Sequence, residues 1–167
     1  HRGDAQHGVD RCAREVAEHP AVQRAGARLA MAHEAGGGAR AHVHFTDRLW
    51  GSSPEAAADA IVALARRTTL SVTLHDLPQA SDGARSMARR VDAYRRVVDA
   101  AEAVVCTSAY ERDLLAAFAV DVEPAIVPLA CERALPAPHP PVLRREIGVL
   151  GFFYPGKGHA QAVEASA

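Results

Sequence analysis

Residues 70–79 read Leu-Ser-Val-Thr-Leu-His-Asp-Leu-Pro-Gln, LSVTLHDLPQ. A nearly continuous, β-branched-rich apolar run of strand length breaks abruptly into a histidine, an aspartate and a proline. Strands buried on both faces read this way, as in a parallel sheet covered by helices. The same form recurs outward in both directions. Ala41–Phe45 (AHVHF) runs into Thr46-Asp47-Arg48-Leu49-Trp50-Gly51, and Ala103–Thr107 (AVVCT) into Ser108-Ala109-Tyr110-Glu111. Ile147–Leu150 runs into Gly151-Phe152-Phe153-Tyr154-Pro155-Gly156-Lys157-Gly158-His159. Arg28–Ala32 and Ala125–Pro128 are further runs of strand length.

Helical stretches separate these runs: Val9–Glu18, Pro54–Arg67, Ala84–Ala101 and Tyr110–Ala119. Ser53-Pro54 supplies a capping residue and then proline at the first helical position. In Ala84–Ala101, Met87, Val91, Tyr94, Val97 and Val98 recur at spacings of three and four, which predicts one apolar face. Arg89, Arg90, Arg95 and Arg96 are expected largely on the other side. Alternating strand and helix predicts an α/β fold with a doubly wound, Rossmann-like parallel sheet.

Residues 135–142 (LPAPHPPV) hold four of the ten prolines and can continue neither helix nor central strand. The expected organisation is therefore a first domain over 1–134, a linker over 135–145, and a single strand–helix unit over 146–167. One such unit cannot bury its own faces, so it reads as the opening of an incomplete second domain.

Composition removes several function classes. Nineteen Lys plus Arg against twenty Asp plus Glu leave a net charge of −1, without the basic excess that nucleic acid or an anionic membrane demands. No apolar run approaches the ~18–20 residues of a membrane span, and the first ten residues lack the form of a signal peptide. Cys12, Cys106 and Cys131 are widely spaced without a CxxC pair, which argues against a disulfide framework or structural zinc and fits a cytoplasmic location. The chain has no asparagine and a single lysine, Lys157, beside 18 arginines and 36 alanines, the mark of a GC-rich genome.

In an open α/β sheet, ligands bind beyond the carboxyl ends of the strands. His75 and Asp76 stand at such an end, where an imidazole has reach to a substrate hydroxyl. Asp76 as a turn cap before Pro78, with His75 bonded to backbone, is the plainer alternative. Gly151–Gly158 ends in Gly-Lys-Gly before a helix, whose free amides together with the Lys157 charge suit a phosphate. The spacing matches GxxxxGK, yet Gly158 and His159 follow where a Walker loop has Ser or Thr. His42 and His44 form an HxH pair with Asp47 nearby and His75 on a neighbouring strand. That set raises a metal-dependent hydrolase as a weaker alternative, because the barrel using such a pair needs about 250 residues. No metal is expected. Cys106, inside an apolar run, reads as an inert core thiol.

The order HGV-x-R-x-A-x-E near the start, TLHDLP, VVCTS-x-x-E, IVPL, a Pro-rich linker and GVLGFFYPGKGH resembles retaining glycosyltransferases of family 4. The resemblance spans essentially the whole chain. It implies the N-terminal half of a GT-B architecture of two facing Rossmann-like domains, and the first strand–helix unit of the second. It implies transfer of a sugar from a nucleotide-sugar donor, a co-substrate rather than a cofactor, to a hydroxyl acceptor with retained configuration. By position, Gly8 resembles the first-loop glycine near the donor phosphates, and His75, with Asp76 beside it, the active-site histidine. Lys157 resembles the donor-diphosphate lysine, with Gly158 next to it. Phe152 and Phe153 stand where many relatives carry an arginine that shares the diphosphate. The paired-glutamate motif of the family lies further downstream than residue 167, so this stretch alone is not expected to turn over. A non-catalytic sugar- or nucleotide-binding module is the alternative, and an uncovered cleft would leave a surface for self-association.

Overall fold

Apolar runs of four to six residues separated by amphipathic helices have one economical solution: a sheet whose strands all run the same way, with helices as crossovers. A computed structural model describes residues 8–35, 37–129 and 158–166, and the chain divides into two units, His1–Ala130 and Cys131–Ala167.

In the first unit, helix α1 (Gly8–Glu18) and the short α2 (Pro20–Arg24) precede strand β1 (Arg40–Phe45). Then come α3 (Asp47–Trp50), α4 (Pro54–Ala65), β2 (Thr69–Leu74), α5 (Ala84–Ala100), β3 (Ala103–Cys106), α6 (Ala109–Ala116) and β4 (Ala125–Ile126). The four strands form one all-parallel sheet in the order β1-β2-β3-β4. The chain is thus α/β with a parallel sheet. A doubly wound sheet reverses its strand order at one point, and the described strands advance without reversal. In the second unit, α7 spans His159–Ser166 and follows Gly158.

Capping residues fix the helix boundaries. Ser53 accepts from the Ala56 amide at the start of α4, and Pro54 takes the first helical position, where a missing N–H is harmless. Ser108 accepts from the Glu111 amide at the start of α6, while the Glu111 carboxylate turns back to the Thr107 amide at 2.7 Å. The TS-x-x-E motif therefore has a local structural role as a helix start.

Two expectations are corrected. Arg28–Ala32 forms no strand: the chain runs into a 3₁₀ turn at Ala32–Glu34. Glu34 accepts from the Met31 amide at 2.9 Å, and Arg67 donates to the Ala32 carbonyl at 2.7 Å. A local bond and a side chain from just past the end of α4 thus take up groups that a ladder would need. Arg90, assigned to the polar side of α5, is only 5% exposed. The expected runs at Ile147–Leu150 and the linker over 135–145 lie outside the described residues.

The core lies on one face of the sheet. Val43 and Phe45 of β1, Val72 and Leu74 of β2, and Val104 and Cys106 of β3 pack with Ile61 and Leu64 of α4 and Tyr94 and Val97 of α5. Helices α4 and α5 lie against each other. The alternate residues of β1 and β2 (His42, His44, Ser71 and Thr73) occupy the opposite face, in register His42↔Ser71 and His44↔Thr73. The near-continuous apolar reading of these strands missed this polar row. Burial holds Cys106 in the core and pushes its thiol up to about 11, with the Glu111 charge adding to the shift. That thiol is inert at neutral pH, as its place in the sequence implies.

Gly51 opens the three-residue connection from α3 to α4. A Cβ on Gly51 would lie 2.3 Å from the Ala57 nitrogen and 2.8 Å from Ala56 C, both backbone atoms of α4. Gly51→Ala is therefore expected to destabilise the fold by about 3 kcal/mol. A Cβ on Gly8 meets nothing within 4 Å, so Gly8→Ala should stay within about 0.5 kcal/mol of the parent. Urea unfolding midpoints of the two variants check this contrast.

Candidate functional site

The turn after β2 is built by a buried cation. Arg90, one turn before Tyr94 on α5, donates through Nε and Nη2 to the two carboxylate oxygens of Asp47, each at 3.1 Å. Its Nη1 donates to Asp82 at 2.6 Å, and its Nη2 to the backbone carbonyl of Asp76. Its guanidinium also lies 5.5 Å from the centre of the Tyr94 ring. Burial opposes the charge on Arg90, but the hydrogen bonds and charge of Asp47 and the bond to Asp82 outweigh it and hold its pKa above the ordinary value. The Tyr94 hydroxyl lies 2.8 Å from the His75 carbonyl and 3.1 Å from that of Asp76.

Two buried side chains of α5 thus grip consecutive carbonyls at the carboxyl end of β2. The grip sets an unusual backbone. Asp76 has φ +52°, the one non-glycine residue with positive φ among the described residues. That region costs roughly 1–2 kcal/mol for an L-residue, somewhat less for aspartate, and is tolerated where neighbours over-determine it. Leu77 and Pro78, both buried, anchor the turn on its far side. The Asp76 carboxyl stays half exposed, its pKa raised by burial against the opposing pull of Arg90 and Arg48.

The His75 side chain is 7% exposed and joins the polar row of the sheet. Its Nε2 lies 3.0 Å from Nδ1 of His44, and the two rings stack with centroids 5.2 Å apart and planes 25° from parallel. His42 sits edge-on to His44 at 5.4 Å. It reaches Ser71 Oγ at 2.8 Å through Nδ1 and Thr73 Oγ1 at 2.9 Å through Nε2. Ser71 also lies within donating distance of the Ala41 carbonyl, which leaves its oxygen to accept from an Nδ1–H on His42. Burial, then the neighbouring imidazoles of His75 and His42, push His44 down to about 4, so it is neutral in the physiological range. Burial lowers His42 as well.

Beside this row, between α1 and β1, lies a cavity of about 540 Å³. Ala13, Val16 and Met31 supply apolar wall, and His42 and His44 open onto it. Among the described residues, no group of three or more His, Cys, Asp or Glu side chains is arranged to hold a metal ion. No helix of the described residues is long and apolar enough to cross a membrane.

The structure brings His75 and Asp76 together at the expected edge of the sheet and joins His42 and His44 to them. Gly8 opens α1, and Gly158, at φ +79°, immediately precedes α7. Lys157 lies outside the described residues. Arg90, Asp47 and Tyr94 support the turn, a role the sequence motifs do not assign them. A signal was present: Arg90 falls three residues after Met87 and four before Tyr94, on the apolar stripe itself.

Comparison with family models, with curated proteins and with solved structures finds no match to this chain.

Two outcomes test the site's construction. Arg90→Met leaves the buried Asp47 carboxylate unpaired and is expected to destabilise by about 3–5 kcal/mol. Arg89→Ala, which removes an exposed pair with Glu55, should cost no more than about 1 kcal/mol. Urea titration of the two neighbouring variants separates them.

The second outcome concerns pH. Below the ordinary histidine value of 6.5, an unfolded chain takes up a proton that His44, held near 4, refuses. Stability from this group is therefore constant above 6.5 and falls as pH drops from 6.5 towards 4. Relative to His44→Phe, the parent should lose on the order of 2 kcal/mol across that window. Unfolding curves of the two proteins at several pH values check this, and parallel pH profiles would contradict it.

Proposed function

We propose that this chain is the N-terminal, acceptor-side part of a retaining glycosyltransferase of family 4, with a GT-B architecture. It would move a sugar from a nucleotide-sugar donor to a hydroxyl acceptor. The observation that carries the reading is the turn at His75-Asp76. A histidine and a half-exposed carboxyl stand at the carboxyl end of a parallel strand, their backbone clamped from behind by Arg90 and Tyr94. Ligands of α/β sheets bind at this edge, and rigid placement of polar groups there is what a transfer reaction requires.

In this reading His75 contacts the transferred sugar and the acceptor hydroxyl, with Asp76 beside it. Gly8 lies near the donor phosphates. In the same reading Lys157 and Gly158, which precede α7 in the sequence, take the donor diphosphate, where lysine and free helix amides would stabilise the negative charge that builds on the departing nucleotide. The order of motifs from TLHDLP to GKGH supports assigning both roles to one protein.

The test uses the full-length protein. A panel of nucleotide sugars should yield transfer, or slow donor hydrolysis, with at least one donor. Tight binding without turnover by any of them would favour the binding-module alternative. Lys157→Ala is expected to weaken a nucleoside diphosphate about ten- to a hundredfold, the loss of one charge-assisted contact of roughly 1.5–3 kcal/mol. His75→Ala should lower turnover and leave diphosphate affinity within about twofold. Calorimetric titration separates the two, and equal loss of diphosphate binding in both variants, or in neither, would overturn the assignment.

A further inference from the structure

The polar face of the sheet holds more order than an active-site histidine alone requires. We infer that His44 is a positioning residue for His75, holding its imidazole in one orientation through the Nδ1···Nε2 contact and ring stacking. The functional consequence rests on the transferase reading; the geometry does not.

Three observations support it. The nitrogens are 3.0 Å apart, a hydrogen-bond distance, and the ring planes lie 25° from parallel with centroids 5.2 Å apart, so the facing nitrogens lie close to both planes. His44 is itself fixed: the buried Trp50 indole donates to its carbonyl at 2.9 Å, and its strand pairs in register with β2. On its other side the His42 ring meets it edge-on, and Ser71 and Thr73 hold that ring at both nitrogens. A neutral imidazole has one donor and one acceptor nitrogen, so His44 is able to donate to His75 or accept from it without either ring turning. The low pKa of His44 keeps it neutral in this role near pH 7. A side chain joined to β1 therefore sets the aim of a side chain at the end of β2.

The test begins with the 167-residue chain, uniformly labelled with ¹⁵N, at pH 8, and needs no substrate. A ¹⁵N–¹⁵N coupling through the hydrogen bond between His44 Nδ1 and His75 Nε2 is expected, and its absence would overturn the inference. His44→Phe keeps a stacked ring but removes the nitrogen. It should shift the His75 Nε2 resonance towards that of a solvent-bonded imidazole while the amide spectrum of β2 stays unchanged. His44→Asn places an amide where Nδ1 stood and should return the resonance towards the parent value. An unmoved His75 resonance in His44→Phe would also overturn the inference. In the full-length protein, His44→Phe should lower kcat about tenfold with nucleoside diphosphate affinity unchanged, and His44→Asn should recover part of it. A coupling present in a protein that transfers no sugar would sink the transferase reading and leave the positioning role standing.

Discussion

One buried guanidinium holds the turn after β2 together. Arg90 comes from α5, its partner Asp47 from the first turn after β1, Asp82 from the turn leading into α5, and the Asp76 carbonyl from the end of β2. A charge with 5% exposure is tolerable only when its donors are matched by anionic or carbonyl acceptors. Here both ends of the planar group are matched, and a lysine, with a single ammonium, could not bridge the same partners. Meeting that demand fixes α5, the turn before it and the ends of β1 and β2 relative to one another. With Tyr94, which holds the His75 carbonyl, it also sets the backbone from which the His75 ring meets His44 and the Asp76 carboxyl stands half exposed.

The apolar core does a different task. Val43, Phe45, Val72, Leu74 and the facing residues of α4 and α5 supply the area that makes the sheet fold, but they are indifferent to which polar group ends a strand. The opposite face carries the ordered polar groups. His42, His44, Ser71 and Thr73 form a row in which both ring nitrogens of His42 have partners, and His44 passes this order to His75. A row of this kind is poor at providing stability and good at fixing geometry.

Much of this was legible from residue order. Strand–helix alternation is a local property, so the parallel sheet and four main helices could be read within a few residues of their ends, with the Ser53 cap of α4 among them. Arg28–Ala32 failed because its strand-like composition competes with a glutamate three residues beyond Met31, which satisfies the chain locally. Arg90 failed because arginine is usually a surface residue, and its burial is justified by Asp47, 43 residues away, together with the Asp76 carbonyl and Asp82. His75 and Asp76 were legible as a strand end, whereas the His44–His75 contact depends on the register between β1 and β2, which no local pattern encodes. The phosphate-side assignment at Lys157 and the strand before it fall outside the described residues, so that half of the reading rests on motif order alone.

Arg90 fixes the turn that carries His75. The His75 amide donates to the Phe45 carbonyl at 2.8 Å, which makes it a reporter placed at the turn itself. Amide hydrogen exchange measures how readily that bond opens. In the parent protein, His75 should exchange only with global unfolding, as slowly as Val72 in the middle of β2. In Arg90→Met, under conditions where β2 remains protected, the His75 amide should open several kcal/mol more easily than Val72. Unchanged protection of His75 relative to Val72 in that variant would contradict the account.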